Sequence, residues 1–408
     1  MKARSTRRSF LSAAGTAGLS ASIAAAPARA RAERSRAASS ETVAFYGPHQ
    51  AGIATATPEH VQFATLDLVT SSVSDLRGVL QELSAAAALL SRGQPVGPLQ
   101  TGDAPPVDTG ETVGLGAARL TVTIGLGPGV FARGRFGLSG SRPAPLVELP
   151  SFATDALQPG ISGGDIVIQA CADDPQVAFH AVHNLIRLAS PAGVARWSLA
   201  GFGRTSNSRA QQTPRNLMGF KDGTDNIMAE DTTALKRFVW AQGPESPAWM
   251  AGGSYMVVRR IAMLLGRWDG IGLTQQEQTF GRHKLSGAPL GGVREHDPVE
   301  LRAKRGGQPV IPWDAHIRLA SPSYNHGQRI LRRGYSYVDG VDRSADAAAA
   351  GLLFICYQRD PRRQFIPIQQ QLAAADALNA HTQHVGSGIF ACPPGAQAGG
   401  YVGQGLLG

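Results

Sequence analysis

DIVIQACADDPQVAFHAVHNLIRLA (residues 165–189) and GLLFICYQRDPRRQFIPIQQQLAAA (residues 351–375) share one layout, 186 residues apart. In each, an apolar strand-like run ends in a polar patch, an Asp-Pro pair follows, and a Phe stands four residues after the proline. An Asp cap accepts the free amide hydrogens of a first helical turn, and proline fixes a helical φ there. Asp174-Pro175 and Asp360-Pro361 therefore both read as helix starts. Working outward, strand-like runs occupy residues 61–69, 118–126, 197–202, 254–263 and 316–320, and a helical pattern runs over 73–90. Strands and helices alternate irregularly, so the reading is α+β with two similar halves. The polar, Ser/Asn/Gln-rich segment 204–214 reads as the linker between them.

Residues 1–32 stand apart from the fold. Arg7-Arg8 is followed by Ser9, Phe10 and Leu11, then by a mildly apolar run and small-x-small sites. This is the pattern of a twin-arginine secretory signal, and its Gly/Ser/Thr-diluted run is too weak for a stable membrane anchor. The expected location is the periplasm or the outside of the cell. As a class that route exports folded chains, often around a cofactor, so a cofactor is worth seeking. The signal holds six basic residues and no acid, so its removal lowers the net charge from +9 to +3. With no basic block interleaved with aromatics, nucleic acid is not an expected partner. Three widely spaced cysteines argue against a disulfide framework or a thiolate metal cluster. The absence of C-x-x-C-H excludes c-type haem attachment. No H-E-x-x-H, G-x-S-x-G or Walker A pattern is present either.

Two further stretches carry polar residues that a simple core does not need. GFKDGTDN (219–226) sets Asp222 between glycines that permit a tight turn and close approach to a flat ligand. About a hundred residues on, His316 sits in the apolar run AHIRLA, and Arg332-Arg333 open RRGYSYV. Asx turn and satisfied core histidine are the plain alternatives for Asp222 and His316.

Three motifs, GFKDGT, HIRLA (316–320) and LRRGYSY (331–337), together resemble the dye-decolourising (DyP-type) haem peroxidases. The similarity is greatest to the twin-arginine-exported branch that includes the deferrochelatase/peroxidase of bacterial iron uptake. The resemblance implies two ferredoxin-like α+β modules in a dimeric α+β barrel-like fold, here residues 33–214 and 215–408, the second binding one non-covalent haem b. His316 matches the proximal iron ligand, with His326 as its competitor in a polar loop. Asp222 and Arg332 match the distal catalytic pair, and Arg332 is also counted with the haem contacts. Further haem contacts map to Gly223, Thr224 and Asp225, and to Ser321, Pro322 and Ser323, where the exported branch shows Asn-Pro-Arg. Leu352 and Phe354 match the apolar wall of the distal pocket, and Asp376 is the choice of partner for the proximal imidazole.

The implied reaction uses hydrogen peroxide to oxidise dyes or other small one-electron donors through an oxoferryl intermediate. A carboxylate can shuttle the peroxide proton, and an arginine can stabilise the departing charge. Bulky donors would deliver electrons through aromatics, with Trp240, Trp249, Trp268, Trp313, Tyr335 and Tyr337 available. The alternatives are a deferrochelatase that removes iron from haem and leaves the porphyrin whole, and a haem-binding protein without turnover. A homo-oligomer remains open.

Overall fold

The computed structural model describes residues 41–342 and 347–408, so the signal-like segment lies outside the described residues. The first half runs β1 (His60–Leu68), α1 (Val73–Leu90), β2 (Thr121–Leu126), β3 (Ile166–Ala172), α2 (Pro175–Ala189) and β4 (Gly193–Phe202). A short helix α3 (Thr232–Phe238) leads into the second half. This begins with β5 (Ser254–Met263), α4 (Leu265–Asp269), α5 (Leu273–Phe280) and the two-residue strands β6 (Lys304–Arg305) and β7 (Gln308–Pro309). It continues through α6 (His316–Leu319), β8 (Leu331–Arg332), β9 (Tyr335–Asp342), β10 (Ala347–Gln358), α7 (Phe365–Ala375) and β11 (Thr382–Cys392), and the chain ends in α8 (Gln404–Leu407).

Each half forms an antiparallel four-stranded sheet in the same order, β4-β1-β3-β2 in the first and β11-β5-β10-β9 in the second. This is the ferredoxin-like α+β order, and the two quoted segments are β3-α2 and β10-α7 in equivalent places. The sheets join edge to edge, at Phe202 opposite Ser336 and at Ala391 opposite Leu126, so the strands close into one barrel. At these two positions each outer strand finds a partner across the seam.

A closed sheet has an inner and an outer face, and strand alternation divides the residues between them. Val167 and Cys171 of β3 and Leu353, Ile355 and Tyr357 of β10 belong to the core enclosed by the barrel. Ile166, Ile168 and Ala170 point outward beneath Leu80 and Leu83 of α1 and Val182 and Leu185 of α2. With both faces covered, β3 is buried at every position. α1 starts at Ser72, whose hydroxyl accepts the amide hydrogen of Asp75, and α2 at Asp174, which accepts from Gln176 and Val177.

Three expectations need correction. Residues 316–320 form a helical turn, not a strand, because the amide groups of Arg318 and Leu319 bond back to Ala315 and that of Ala320 to His316. The apparent alternation misleads since Arg318 points into the protein and donates to the carbonyls of Ile311 and Pro312. α7 begins at Phe365 rather than Pro361. Started four residues earlier, it would place Pro367 past its first turn, where the missing N–H breaks a helix. β2 starts at Thr121 because Ala118 and Arg119 are left-handed, with φ of 48° and 54°. Segment 204–214 runs between the two halves and is packed against the first: Thr205, Ser206, Asn207 and Ser208 are buried, and Asn207 accepts from the amide and hydroxyl of Thr57.

Among the described residues no helix is long and apolar enough to cross a membrane. Gly351 tests the packing of β10 between β5 and β9. A Cβ there would lie 2.0 Å from the Ile261 carbonyl oxygen and 2.6 Å from the Tyr337 hydroxyl, both held in the sheet. Gly351→Ala is expected to lower the urea midpoint by the equivalent of about 1–3 kcal/mol, the usual cost of overpacking.

Candidate active site

In the register of the repeat, Leu352 and Phe354 of β10 correspond to Ile166 and Ile168 of β3. The latter lie under α1. In the second half the chain from residue 264 to residue 334 replaces that long helix with short ones, and a cavity of 710 Å³ opens over the sheet. Leu352, Phe354, Ile261 and Met263 form its apolar wall.

His316 faces that wall from the first position of α6. Its Nδ1 lies 2.6 Å from Oδ2 of Asp376, and a third of its side-chain surface opens to the cavity, whereas Asp376 is buried. Asp376 ends α7 and at the same time accepts the amide hydrogen of Leu378 through Oδ1. The amide of Ala377 donates to the carbonyl of Asp314, which ties the two segments together. With the carboxylate accepting from Nδ1–H, the Nε2 lone pair of the neutral ring is left for the cavity. Burial opposes a charge on this imidazole, but Asp376 outweighs it and the pKa is raised.

Asp222 and Arg332 also line the cavity. The loop that carries Asp222 needs its glycines: Gly219 has φ of 86°, and Gly223 has φ of 120° with a Cβ position 2.8 Å from the Ser206 backbone. The Asp222 amide is fixed to the Pro214 carbonyl, and Oδ1 accepts from Nη1 of Arg332 at 2.5 Å. Arg332 comes from β8, paired with Cys356 of β10.

Asn226, the last residue of the quoted loop, joins these two elements. Its Oδ1 accepts the Arg332 amide hydrogen at 2.9 Å, while Nδ2 donates to the carbonyls of Arg332 at 2.8 Å and Ser206 at 2.9 Å. Sequence reading passed over it because a partner 106 positions away leaves no local pattern. Glu295 was missed likewise. It accepts from Lys221 and Thr224 beside the cavity, and those bonds lower its pKa against the effect of burial.

The remaining sequence-chosen residues divide clearly. Gly223, Thr224, Asp225, Ser321, Pro322 and Ser323 all line the cavity; Asp225 pairs with Arg329, and Ser321 and Ser323 lie 2.9 Å apart, oxygen to oxygen. His326 is exposed in a left-handed turn with φ of 53° and is not among the lining residues. Arg333 turns the other way, is fully buried, and donates to the Thr55 carbonyl. Of the aromatics, Trp249, Trp268, Tyr335 and Tyr337 are buried and Trp240 half-buried, while Trp313 is 61% exposed.

The family description Dyp-type peroxidase, N-terminal, matches residues 50–203, and Dyp-type peroxidase, C-terminal, matches residues 213–397. The chain belongs to the Dyp-type peroxidase family. It is 42% identical over 384 residues to a dye-decolorizing peroxidase of Thermobifida fusca, covering 92% of this chain and 87% of the relative. A deferrochelatase of Yersinia pseudotuberculosis is 38% identical over 371 residues, covering 89% and 84%. The solved structure of ferric DtpA from Streptomyces lividans superposes with a TM-score of 0.83 at 40% identity, covering 91% of this chain and 98% of that one. The two-module α+β fold is that of the Dyp-type peroxidases, and the chain is an enzyme of this family.

Asn226→Ala strips the partners from both backbone groups of Arg332. A buried group left unsatisfied costs about 1–3 kcal/mol, so the variant is expected to lose stability of that order in urea unfolding. A crystal structure of it should show the Arg332 guanidinium displaced from Asp222.

Proposed function

We propose that this Dyp-type peroxidase binds one haem b in the cavity and uses hydrogen peroxide to oxidise dyes or other small one-electron donors. The single observation that carries this is the arrangement across the cavity: an imidazole backed by a carboxylate faces a carboxylate–guanidinium pair. Among the described residues no cluster of three or more His, Cys, Asp or Glu is set to hold a metal ion. A metal at His316 must therefore bring its other ligands with it. A flat tetrapyrrole does so, and the apolar wall and the glycine loop suit its faces.

When bound, haem supplies the iron at which peroxide is activated and stores the oxidising equivalents. His316 would hold the iron through Nε2, with Asp376 orienting the ring and raising its basicity. Asp222 takes the proton from one peroxide oxygen and returns it to the other, directly or through water. Arg332, permanently charged, stabilises the negative charge that leaves as the O–O bond breaks and keeps Asp222 in place. Leu352 and Phe354 keep the pocket narrow and dry, so large donors stay outside.

Trp313 is the electron entry point that the geometry favours. It lies three residues before His316, and its ring carries the guanidinium of buried Arg318 at 4.6 Å. Residues 1–32 are proposed to direct export by the twin-arginine route to the periplasm or beyond, and residues 215–408 to form the haem-binding module. Release of iron from haem is a second reading, supported by the similarity to a deferrochelatase.

Purified protein should show a Soret band that changes on adding peroxide; a protein lacking the band refutes the proposal. His316→Ala should lose most haem, while His326→Ala keeps it. Arg332→Leu should slow the stopped-flow peroxide step by roughly 10²–10³-fold, as removal of a preorganised charge contact does. Arg333→Leu should leave that step near the wild-type rate, since this residue points away from Asp222. Trp313→Phe should cut kcat for a bulky dye by about ten-fold or more with the peroxide step unchanged; equal rates on the dye would exclude Trp313 as the entry point.

A further inference from the structure

His384 of β11 lines the cavity and has no part in the roles above. It stands opposite Ile261, which in turn stands opposite Leu352, so the three form one row across the sheet. Its Nδ1 lies 3.1 Å from Nε of Arg259. Arginine has no acceptor, so Nδ1 must accept and the proton of the neutral ring is carried by Nε2. Arg259 is itself fully buried, donates to the Ser387 hydroxyl at 3.0 Å and pairs with Asp155. This chain of contacts fixes both the tautomer and the plane of the ring. Burial, and then the Arg259 charge, push the His384 pKa down to about 3, so the ring stays neutral at ordinary pH.

The Nε2–H has no protein acceptor among the described residues, and its neighbours in the wall, Ile261, Met263 and Leu352, offer none. A fixed donor in an apolar wall is oriented toward an acceptor that the ligand brings. Its place excludes the peroxide. Arg332 pairs with Cys356, four residues along β10 from Leu352, and β8 is separated from β11 by two strands. With strands about 4.8 Å apart and a rise of about 3.3 Å per residue, the backbone of His384 lies on the order of 15–20 Å from that of Arg332. It therefore meets the far rim of a ligand centred on His316. The rim of a haem b tetrapyrrole is apolar except for its carboxylates.

We infer that His384 donates a hydrogen bond from Nε2 to a carboxylate at the rim of the bound tetrapyrrole, with Arg259 and Asp155 holding it in the donating tautomer. This rests on the haem reading above. It makes His384 a cofactor-binding residue and gives the buried Arg259–Asp155 pair a purpose beyond packing.

Two substitutions separate this role from a structural one. His384→Asn keeps an acceptor near the Nδ1 position for Arg259 and removes the donor at Nε2; His384→Gln keeps a donor near Nε2. Haem transfer from the purified holoprotein to excess apomyoglobin, followed at the Soret band, measures the hold on the cofactor. His384→Asn should release haem about ten-fold or more faster, as loss of a hydrogen bond to a charged group predicts, and His384→Gln within about two-fold of wild type. Resonance Raman should show a shifted propionate bending band in His384→Asn alone. Wild-type release by both variants, or faster release by His384→Gln only, overturns the inference. If both release haem faster, an unshifted propionate band in His384→Asn overturns it as well. These outcomes leave the haem reading intact, whereas a wild-type protein without a Soret band removes both.

Discussion

A closed barrel buries its inner face by its own side chains and leaves its outer face to be covered by something else. The first half of this chain covers that face with α1 and α2, and its outward residues Ile166 and Ile168 are fully buried. The second half repeats the strands and the second helix but replaces the first helix with a long, broken connection. Leu352 and Phe354 then stand over a cavity. Burying these outward side chains is favourable by roughly 25 cal/mol per Å² of apolar surface, so the gap favours an apolar occupant. One sheet pattern thus yields a half covered by helices and a half with a cavity.

The polar residues of the site depend on contacts made far along the chain. Asp376 occupies the end of α7, where its two oxygens serve the helix that follows and the His316 ring at once. Asn226 plays the corresponding part on the other side by bonding both backbone groups of Arg332. Neither residue needs to touch the reacting atoms. Each converts a flexible side chain into a positioned one, and positioning accounts for much of the work of such sites.

The same economy runs through the buried arginines. Arg318 anchors α6 to the carbonyls before it and stacks on Trp313, Arg259 orients His384, and Arg333 turns into the barrel. Only Arg332 reaches the cavity from the Arg-Arg pair. Adjacent strand residues point to opposite faces, so one arginine goes to the site and its neighbour to the barrel interior.

The sequence by itself determined the repeat, α1 and β5 to the residue, and the motif residues of the cavity. These signals are local: strand alternation, Asp and Ser caps, glycines at left-handed positions, and short runs matching a family. It misread residues 316–320 as a strand because Arg318 looks exposed by type and is buried by its carbonyl partners. It began α7 too early because the effect of Pro367 depends on where the first turn falls. Tertiary structure alone decided at which residues the two sheets meet, that Asn226 and Glu295 bond to residues of the site, and that His384 faces it through Arg259. Each of these rests on partners tens to hundreds of residues apart, whose meeting is set by the folded sheet and leaves no spacing in the chain.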